Sequence, residues 1–186
     1  MLYVVFLSLV FLPLAKFSEM ETSILNANQI DKKITRIAYE IYEENAAEKE
    51  VVLAGRGEGG YELAKKLEIN LKKISPLKIT LIKVMVNKNE LSEERSVELD
   101  KKINLSGKTV ILADDVLNTG KMLAYCLKAI LQFPVKSLRI AVLVDRNHTL
   151  FPIKSDYTGL SVSTTLQEHI TVNLKTKGKE SVILKD

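Results

Sequence analysis

Two carboxylates stand side by side, Asp114 and Asp115, in the run VILADDVLNTGKML from Val110 to Leu123. They follow an apolar stretch and precede a short polar turn, Asn118, Thr119, Gly120, Lys121 and Met122, after which apolar residues resume. Where a helix begins, backbone N–H groups lack intrahelical partners and the helix dipole is positive, so the turn is a natural anion site. Thr119 adds a hydroxyl, Lys121 a charge and Gly120 close backbone approach. Carboxylates aimed at a phosphate would repel it, but they accept hydrogen bonds well from a sugar's hydroxyls. Two adjacent acids after a buried strand also carry a desolvation cost that a polar partner relieves. A ligand with both parts is a ribose 5-phosphate. The plain alternative is a tight turn flanked by surface acids.

A second glycine-rich segment, GRGEGG, places Gly55, Gly57 and Gly60 at the spacing G-x-G-x-x-G, after an apolar run and before a helical pattern. That spacing suits a dinucleotide and hence an oxidoreductase. The pattern also wants an acid about 20 positions on, to hold a ribose. The next apolar run offers Lys83 there, and the first acid is Glu90. Lys83 suits a 2′-phosphate, so this reading is weakened and stays open. A P-loop fails: its first glycine is replaced by Asp115 and its Ser/Thr by Met122. The single cysteine, Cys126, permits no internal disulfide and fits a reducing, cytoplasmic setting. With no His or Asn beside it, it reads as a small buried hydrophobe. His169 stands alone before an apolar run.

These residues need elements to position them. Ile30, Ile34, Ile37, Ala38 and Ile41 recur at helical spacing between Gln29 and Asn45, with Asn28 as the expected cap. EVVLAG reads as a strand ending at Gly55, RGEGG as a turn and YELAKKLEINLKKI as a helix. LKITLIKVMV, KTVILA and LRIAVLVD read as further strands, Met122 to Phe133 as a helix, and LSVST and ITVNL as shorter strands. Continuously apolar strands alternating with helices predict an α/β fold. Its central sheet is mostly parallel, with helices on both faces and a small C-terminal β region as a hood. Ligands in such sheets bind beyond the carboxyl ends of the strands, where both glycine segments lie. The charged stretch from Asn87 to Gly107 is long for a connection and is expected to be a mobile lid.

The length of 186 residues suits one domain with a real core. Apolar residues at 46% and charged residues at 27% exclude a disordered or collagen-like chain, and a net charge of +4 is compatible with phosphates or RNA without requiring either. Residues 1–19 form an apolar run broken by Pro13. It is short for a membrane span, which needs about 20 apolar residues, and lacks the basic start and cleavage site of a signal peptide. The expectation is an extension preceding the true start at Met20, with a targeting segment as the alternative, and a single domain over 20–186.

VILADDVLNTGKML resembles the phosphoribosyl-pyrophosphate motif of type I phosphoribosyltransferases. Within that family the nearest likeness is to the bifunctional pyrimidine-operon attenuation regulators and uracil phosphoribosyltransferases. ILNANQIDKKITRIAYEIYEEN, LAKKL, ITL, AVLVDRNH and PIKSDYTG resemble it in the same order, from Ile24 to about Gly159. The resemblance implies that Asp114 and Asp115 hold the ribose hydroxyls. Residues Val116 and Leu117 with Asn118 to Met122 would complete the phosphoribosyl pyrophosphate site. Gly55, Arg56, Gly57, Gly59 and Gly60 would face pyrophosphate, and Lys83 and Lys88 would belong to the lid. Val144, Asp145 and Arg146, with Asp156, Tyr157 and Thr158, would lie on the side of the base. Mg²⁺ would arrive with pyrophosphate, with few protein ligands. The implied reaction moves a ribosyl 5-phosphate group to a nucleobase, uracil foremost, in a homodimer or larger homo-oligomer. The family's other role implies RNA as a partner, for which Lys32, Lys33, Arg36, Arg146, His148 and Lys154 are the candidate basic face.

The chain departs from the family in three places. Met122 stands where threonine is usual. Glu58 and Gly59 stand where lysine and arginine are usual, with Arg56 displaced nearby. Lys83 replaces an arginine, and Val84 and Met85 replace the acids that follow it. These departures imply weakened turnover, with a nucleotide-sensing regulator as the alternative outcome.

Overall fold

The computed structural model describes residues 21–88, 95–100, 102–165 and 167–186. The expectations for residues 1–19 lie outside these. Strand β1 (Glu21–Asn26) runs straight into helix α1 (Ala27–Glu44). A capping box marks the junction. The Asn26 side chain accepts from the Gln29 N–H at 3.0 Å, and the Gln29 side chain accepts from the Asn26 N–H at 2.9 Å. The cap is thus Asn26 and not Asn28, which lies within the first turn.

Then follow β2 (Glu50–Arg56), α2 (Gly57–Ile74), β3 (Lys78–Lys88), β4 (Arg95–Leu99), β5 (Thr109–Leu117), α3 (Lys121–Ile130), β6 (Ser137–Asp145), β7 (Tyr157–Ser161), β8 (His169–Asn173) and β9 (Ser181–Lys185). Six strands form a sheet in the order β4-β3-β2-β5-β6-β7, parallel except for β4. Alternate residues of the strands feed two cores. Val51, Leu53, Ile111, Ala113 and Leu143 pack against the isoleucines of α1 and against Leu63, Leu67 and Leu71 of α2. Val52, Ala54, Val110, Leu112 and Val142 pack against Leu123, Cys126 and Ile130 of α3. Each large buried aliphatic side chain contributes roughly 1.5–3 kcal/mol.

Three expectations change. Residues 57–60 are the first turn of α2, not a free turn, because the chain enters the helix directly from β2. The stretch from Asn87 to Gly107 is not one long irregular lid. Its start belongs to β3, and β4 folds back on β3 with Val86 opposite Val97 and Val84 opposite Leu99. These apolar pairs explain why a charge-rich segment forms an edge strand; residues 89–94 lie outside the described part. The hood is a three-stranded antiparallel sheet, β1-β9-β8, so it draws on the amino-terminal strand as well as the last two.

β3 and β4 lie on one side of β2, and β5, β6 and β7 on the other. The winding direction therefore reverses between β2 and β5, and a crevice opens at their carboxyl ends.

Candidate functional site

Gly55 of β2 pairs with Ala113 of β5, so Arg56 and Asp114 emerge together at the mouth of that crevice. Arg56 Nε donates to Asp114 Oδ2 at 2.6 Å, and its Nη2 lies 3.8 Å from Asp115 Oδ1. The other Asp114 oxygen accepts the Asp115 N–H at 3.0 Å, and Asp115 Oδ1 accepts the Val116 N–H at 3.0 Å. Asp114 is only 2% exposed. Burial pushes its carboxyl up to about 7, against the pull of Arg56. Burial also disfavours the guanidinium of Arg56, but the two carboxylates more than offset this and raise its pKa. The acids therefore form a coupled group with a resident cation.

The first turn of α2 presses on the end of β5. A Cβ on Gly60 would lie 2.4 Å from the Ala113 carbonyl oxygen, and one on Gly59 would lie 2.0 Å from Asp115 Oδ2. Gly60 meets backbone there and requires glycine, whereas at Gly59 only the Asp115 side chain would have to move. Gly55 is buried in β2, and Gly57 opens α2 with a φ of 56°. Glu58 is exposed and bonded to Lys83, which holds its carboxyl below the usual range; Lys175 lies 4.0 Å away. Lys83 is thus a strand residue tied to α2 and not part of a lid. Lys88 ends β3 beside the segment outside the described residues.

Beyond Asp115, the turn expected to hold phosphate leads into α3. Gly120 caps the helix with a φ of 81°, which favours glycine. Thr119 Oγ1 accepts the Lys121 N–H at 3.3 Å, and the Thr119 carbonyl accepts the N–H groups of Leu150 and Phe151 at 3.0 and 3.1 Å. A cavity of about 220 Å³ lies over the turn, lined by Asn118, Thr119, Gly120 and Met122 together with Val116, Leu117, Arg56 and Asp114. Asp115 faces a second cavity, of about 280 Å³, with Glu58, Gly59, Glu62 and the hood residues 172–175. The two acids therefore stand between two chambers. Lys121 is exposed and lines neither. Arg56, expected on the pyrophosphate side, instead faces the chamber over the turn.

The residues expected around a base are dispersed. Val144 is buried in β6. Tyr157 pairs with Ala141, so residues 156–158 lie level with the middle of β6 and short of its carboxyl end. Asp156 accepts the Ile140 N–H at 2.8 Å and a bond from Arg139 at 3.2 Å. The Tyr157 hydroxyl donates to Glu44 at 2.7 Å, and burial raises its pKa. Thr158 Oγ1 meets Ser155 Oγ at 2.6 Å. All three side chains are engaged within the fold, and the register of β7 sets them back from the carboxyl end of β6. Arg146 does sit at the carboxyl end of β6 but is 4% exposed and fully engaged. It donates to Asn118 at 3.2 Å, to Thr164 at 2.9 Å, and to the carbonyls of Thr165 and Glu168 at 3.1 and 2.6 Å. It braces the phosphate-side turn against residues 164–168, and its burial removes it from any basic face. Arg36 is likewise committed, to Glu40 and to the carbonyls of Thr158 and Gly159.

Thr164, Thr165 and Glu168 went unrecognised as site residues. A signal was present: T-x-x-E is a reciprocal capping pattern, and the Thr165 N–H does donate to Glu168 at 2.5 Å. Cys126 is buried, and burial pushes its thiol up to about 12, so it is no nucleophile near neutral pH. His148 lines neither chamber, and His169 is exposed at the start of β8.

Residues 20–177 match the model of the phosphoribosyl transferase domain. The chain belongs to the phosphoribosyl transferase family. Among relatives, it is 34% identical to the bifunctional protein PyrR of Chloroflexus aurantiacus, over 88% of this chain and 94% of that one. It is 32% identical to the bifunctional protein PyrR of Clostridium kluyveri, over 84% and 92%. A hypoxanthine-guanine phosphoribosyltransferase from Bacillus anthracis superposes with a TM-score of 0.73 at 18% identity, covering 89% of this chain and 98% of that one. At that identity the likeness concerns the fold, which is that of the type I phosphoribosyltransferases. No helix among the described residues of this phosphoribosyl transferase is long and apolar enough to cross a membrane.

Proposed function

We propose that the protein transfers the ribosyl 5-phosphate group of phosphoribosyl pyrophosphate to a nucleobase, uracil foremost, giving UMP and pyrophosphate. One observation carries the reading. Adjacent acids at the topological switch point lie directly before a helix-opening turn, and the acids face two chambers, one of them over that turn. The N-terminal N–H groups of α3 and Thr119 would hold the 5-phosphate. Asp114 and Asp115 would accept the ribose 2′ and 3′ hydroxyls and keep negative charge near C1. There the bond to pyrophosphate breaks and the bond to the base nitrogen forms, while the base releases its N–H proton to solvent. Positive charge developing on the ribose in the transition state is stabilised by these carboxylates. The chamber beside Asp115 also carries Glu58 and Glu62, but among the described residues no three acids are grouped closely enough to hold a metal ion by themselves, so Mg²⁺ would come with the pyrophosphate. When bound, Mg²⁺ would neutralise the leaving pyrophosphate.

The preference for uracil rests on the likeness to the PyrR relatives. A second reading, a slow enzyme that senses nucleotides and binds RNA, is favoured by Glu58, which sets an acid where the family usually has a cation and neutralises Lys83. Lys32, Lys33 and Lys154 remain as an exposed or half-exposed basic set for it. A single domain over 20–186, cytoplasmic and homo-oligomeric, belongs to the same proposal. The decisive assay supplies phosphoribosyl pyrophosphate and Mg²⁺ with labelled uracil, hypoxanthine or guanine. Formation of UMP above the purine nucleotides supports the proposal. Purine products alone overturn the uracil preference, and no product with any base favours the regulatory reading.

A further inference from the structure

Arg56 is the one cationic side chain among the described residues lining the chamber over the phosphate-side turn. Lys121, six residues beyond Asp115, is exposed and does not line it, and the Met122 side chain offers no hydrogen-bond donor. The chamber that should take a dianionic phosphate thus holds one cation, and that cation is bonded to Asp114 at 2.6 Å. Each Asp114 oxygen already accepts one bond, Oδ2 from Arg56 and Oδ1 from the Asp115 N–H, so a sugar hydroxyl approaching this buried carboxylate competes with Arg56 for it. Sugar alone would leave the guanidinium short of counter-charge, and phosphate alone would strip the buried carboxylate of its partner. A ligand carrying both groups solves the two problems together: its hydroxyls replace Arg56 on the acids, and its phosphate replaces the acids on Arg56.

We propose that Arg56 exchanges partners on ligand binding, leaving Asp114 for the 5-phosphate, so that the site selects ribosyl groups that carry that phosphate over those that do not. The inference rests on the ribose 5-phosphate reading of the site. It gives Arg56 to the retained phosphate and not to the leaving pyrophosphate. The guanidinium is suited to the task, since it stays charged and binds phosphate with two parallel donors. Its side chain is 27% exposed, so it is anchored yet reachable from the chamber. A short basic residue on α3 would serve phosphate binding without this selectivity, because it would not be held by the acids beforehand.

The test measures binding of UMP, uridine and magnesium pyrophosphate by calorimetry to the wild type, Arg56→Met and Arg56→Lys. Arg56→Met should weaken UMP roughly 10- to 100-fold and leave uridine unchanged or tighter, with Arg56→Lys recovering part of the loss for UMP. Equal weakening of UMP and uridine would overturn the proposal, as would loss confined to pyrophosphate. A measurement on the unaltered protein guards against a variant that does not fold. The Arg56 Nε–H resonance should shift with UMP and stay in place with magnesium pyrophosphate; the opposite pattern refutes the exchange. Should the wild type bind none of UMP, ribose 5-phosphate and phosphoribosyl pyrophosphate, the ribose 5-phosphate reading itself fails. If it binds them but Arg56→Met binds UMP as tightly as the wild type, only the role of Arg56 fails.

Discussion

Replacing Asp114 with asparagine removes a charge at a nearly isosteric site and should remove a pH dependence of stability with it. Burial raises the folded-state pKa of Asp114 to about 7, whereas an aspartate in an unfolded chain titrates near the model value of 3.8. The folded protein therefore holds this proton at pH values where the unfolded chain has lost it. The unfolded state binds fewer protons across that window, so stability falls as pH rises. The contribution of a neutral Asp114 is fully present below about pH 4, is lost progressively above it, and is gone once the pH is well above 7. At about 1.36 kcal/mol per pKa unit, the full swing is on the order of 4 kcal/mol. The assay is urea unfolding of the wild type and Asp114→Asn at intervals from pH 4.5 to 8.5, at constant ionic strength. Titrating groups not coupled to Asp114 cancel in the difference between the two proteins. That difference should move in favour of Asp114→Asn as pH rises. A flat difference would refute the raised pKa. A wild type that gains on the variant toward high pH would mean that the Arg56 ion pair outweighs burial.

Four further substitutions follow from the geometry. Met122→Thr places a hydroxyl in the chamber over the turn and should tighten ribose 5-phosphate binding roughly 5- to 30-fold by calorimetry, while unchanged affinity would mean that the phosphate does not sit at residues 118–122. Gly60→Ala drives a methyl group to 2.4 Å from the Ala113 carbonyl and should cost about 1–3 kcal/mol in denaturant unfolding, whereas Gly59→Ala meets only the Asp115 side chain and should lower ribose 5-phosphate affinity with little loss of stability. Asn26→Ala breaks the capping box of α1 and should cost about 1 kcal/mol by the same unfolding measurement, with glycine at that position costing less.

The parts of the molecule legible in the sequence were those whose signals are local. The isoleucines of α1 and the apolar runs of β2, β3, β5 and β6 carry their periodicity within a few residues, and the acids and turn of 114–122 are contiguous. What escaped depended on pairing across distance. β1 and β9 are short and mixed in polarity, and become strands because Asn26 meets Ser181 and Glu21 meets Lys185. β4 hides among charged residues until Val97 and Leu99 find β3. The level of residues 156–158 along β6 was not legible because strand register is not written in either strand alone. The bond of Arg56 to Asp114 could not be read from the sequence, because it links elements that are far apart in the chain.

The pairing of β1 with β9 also bears on how the protein is made. On the ribosome, β1 emerges before any other described strand and its partner emerges last, so the hood cannot close until translation has passed Lys185. The six-stranded sheet can organise earlier, because β2 to β7 end at Ser161, whereas the chamber beside Asp115 also needs residues 172–175. Until β9 arrives, β1 and β8 each display an open strand edge that would otherwise be filled by the same middle strand. A nascent chain stalled before Ser181 should therefore show a protease-resistant centre with a cleavable amino-terminal strand. β9 is thus the strand that closes both edges at once.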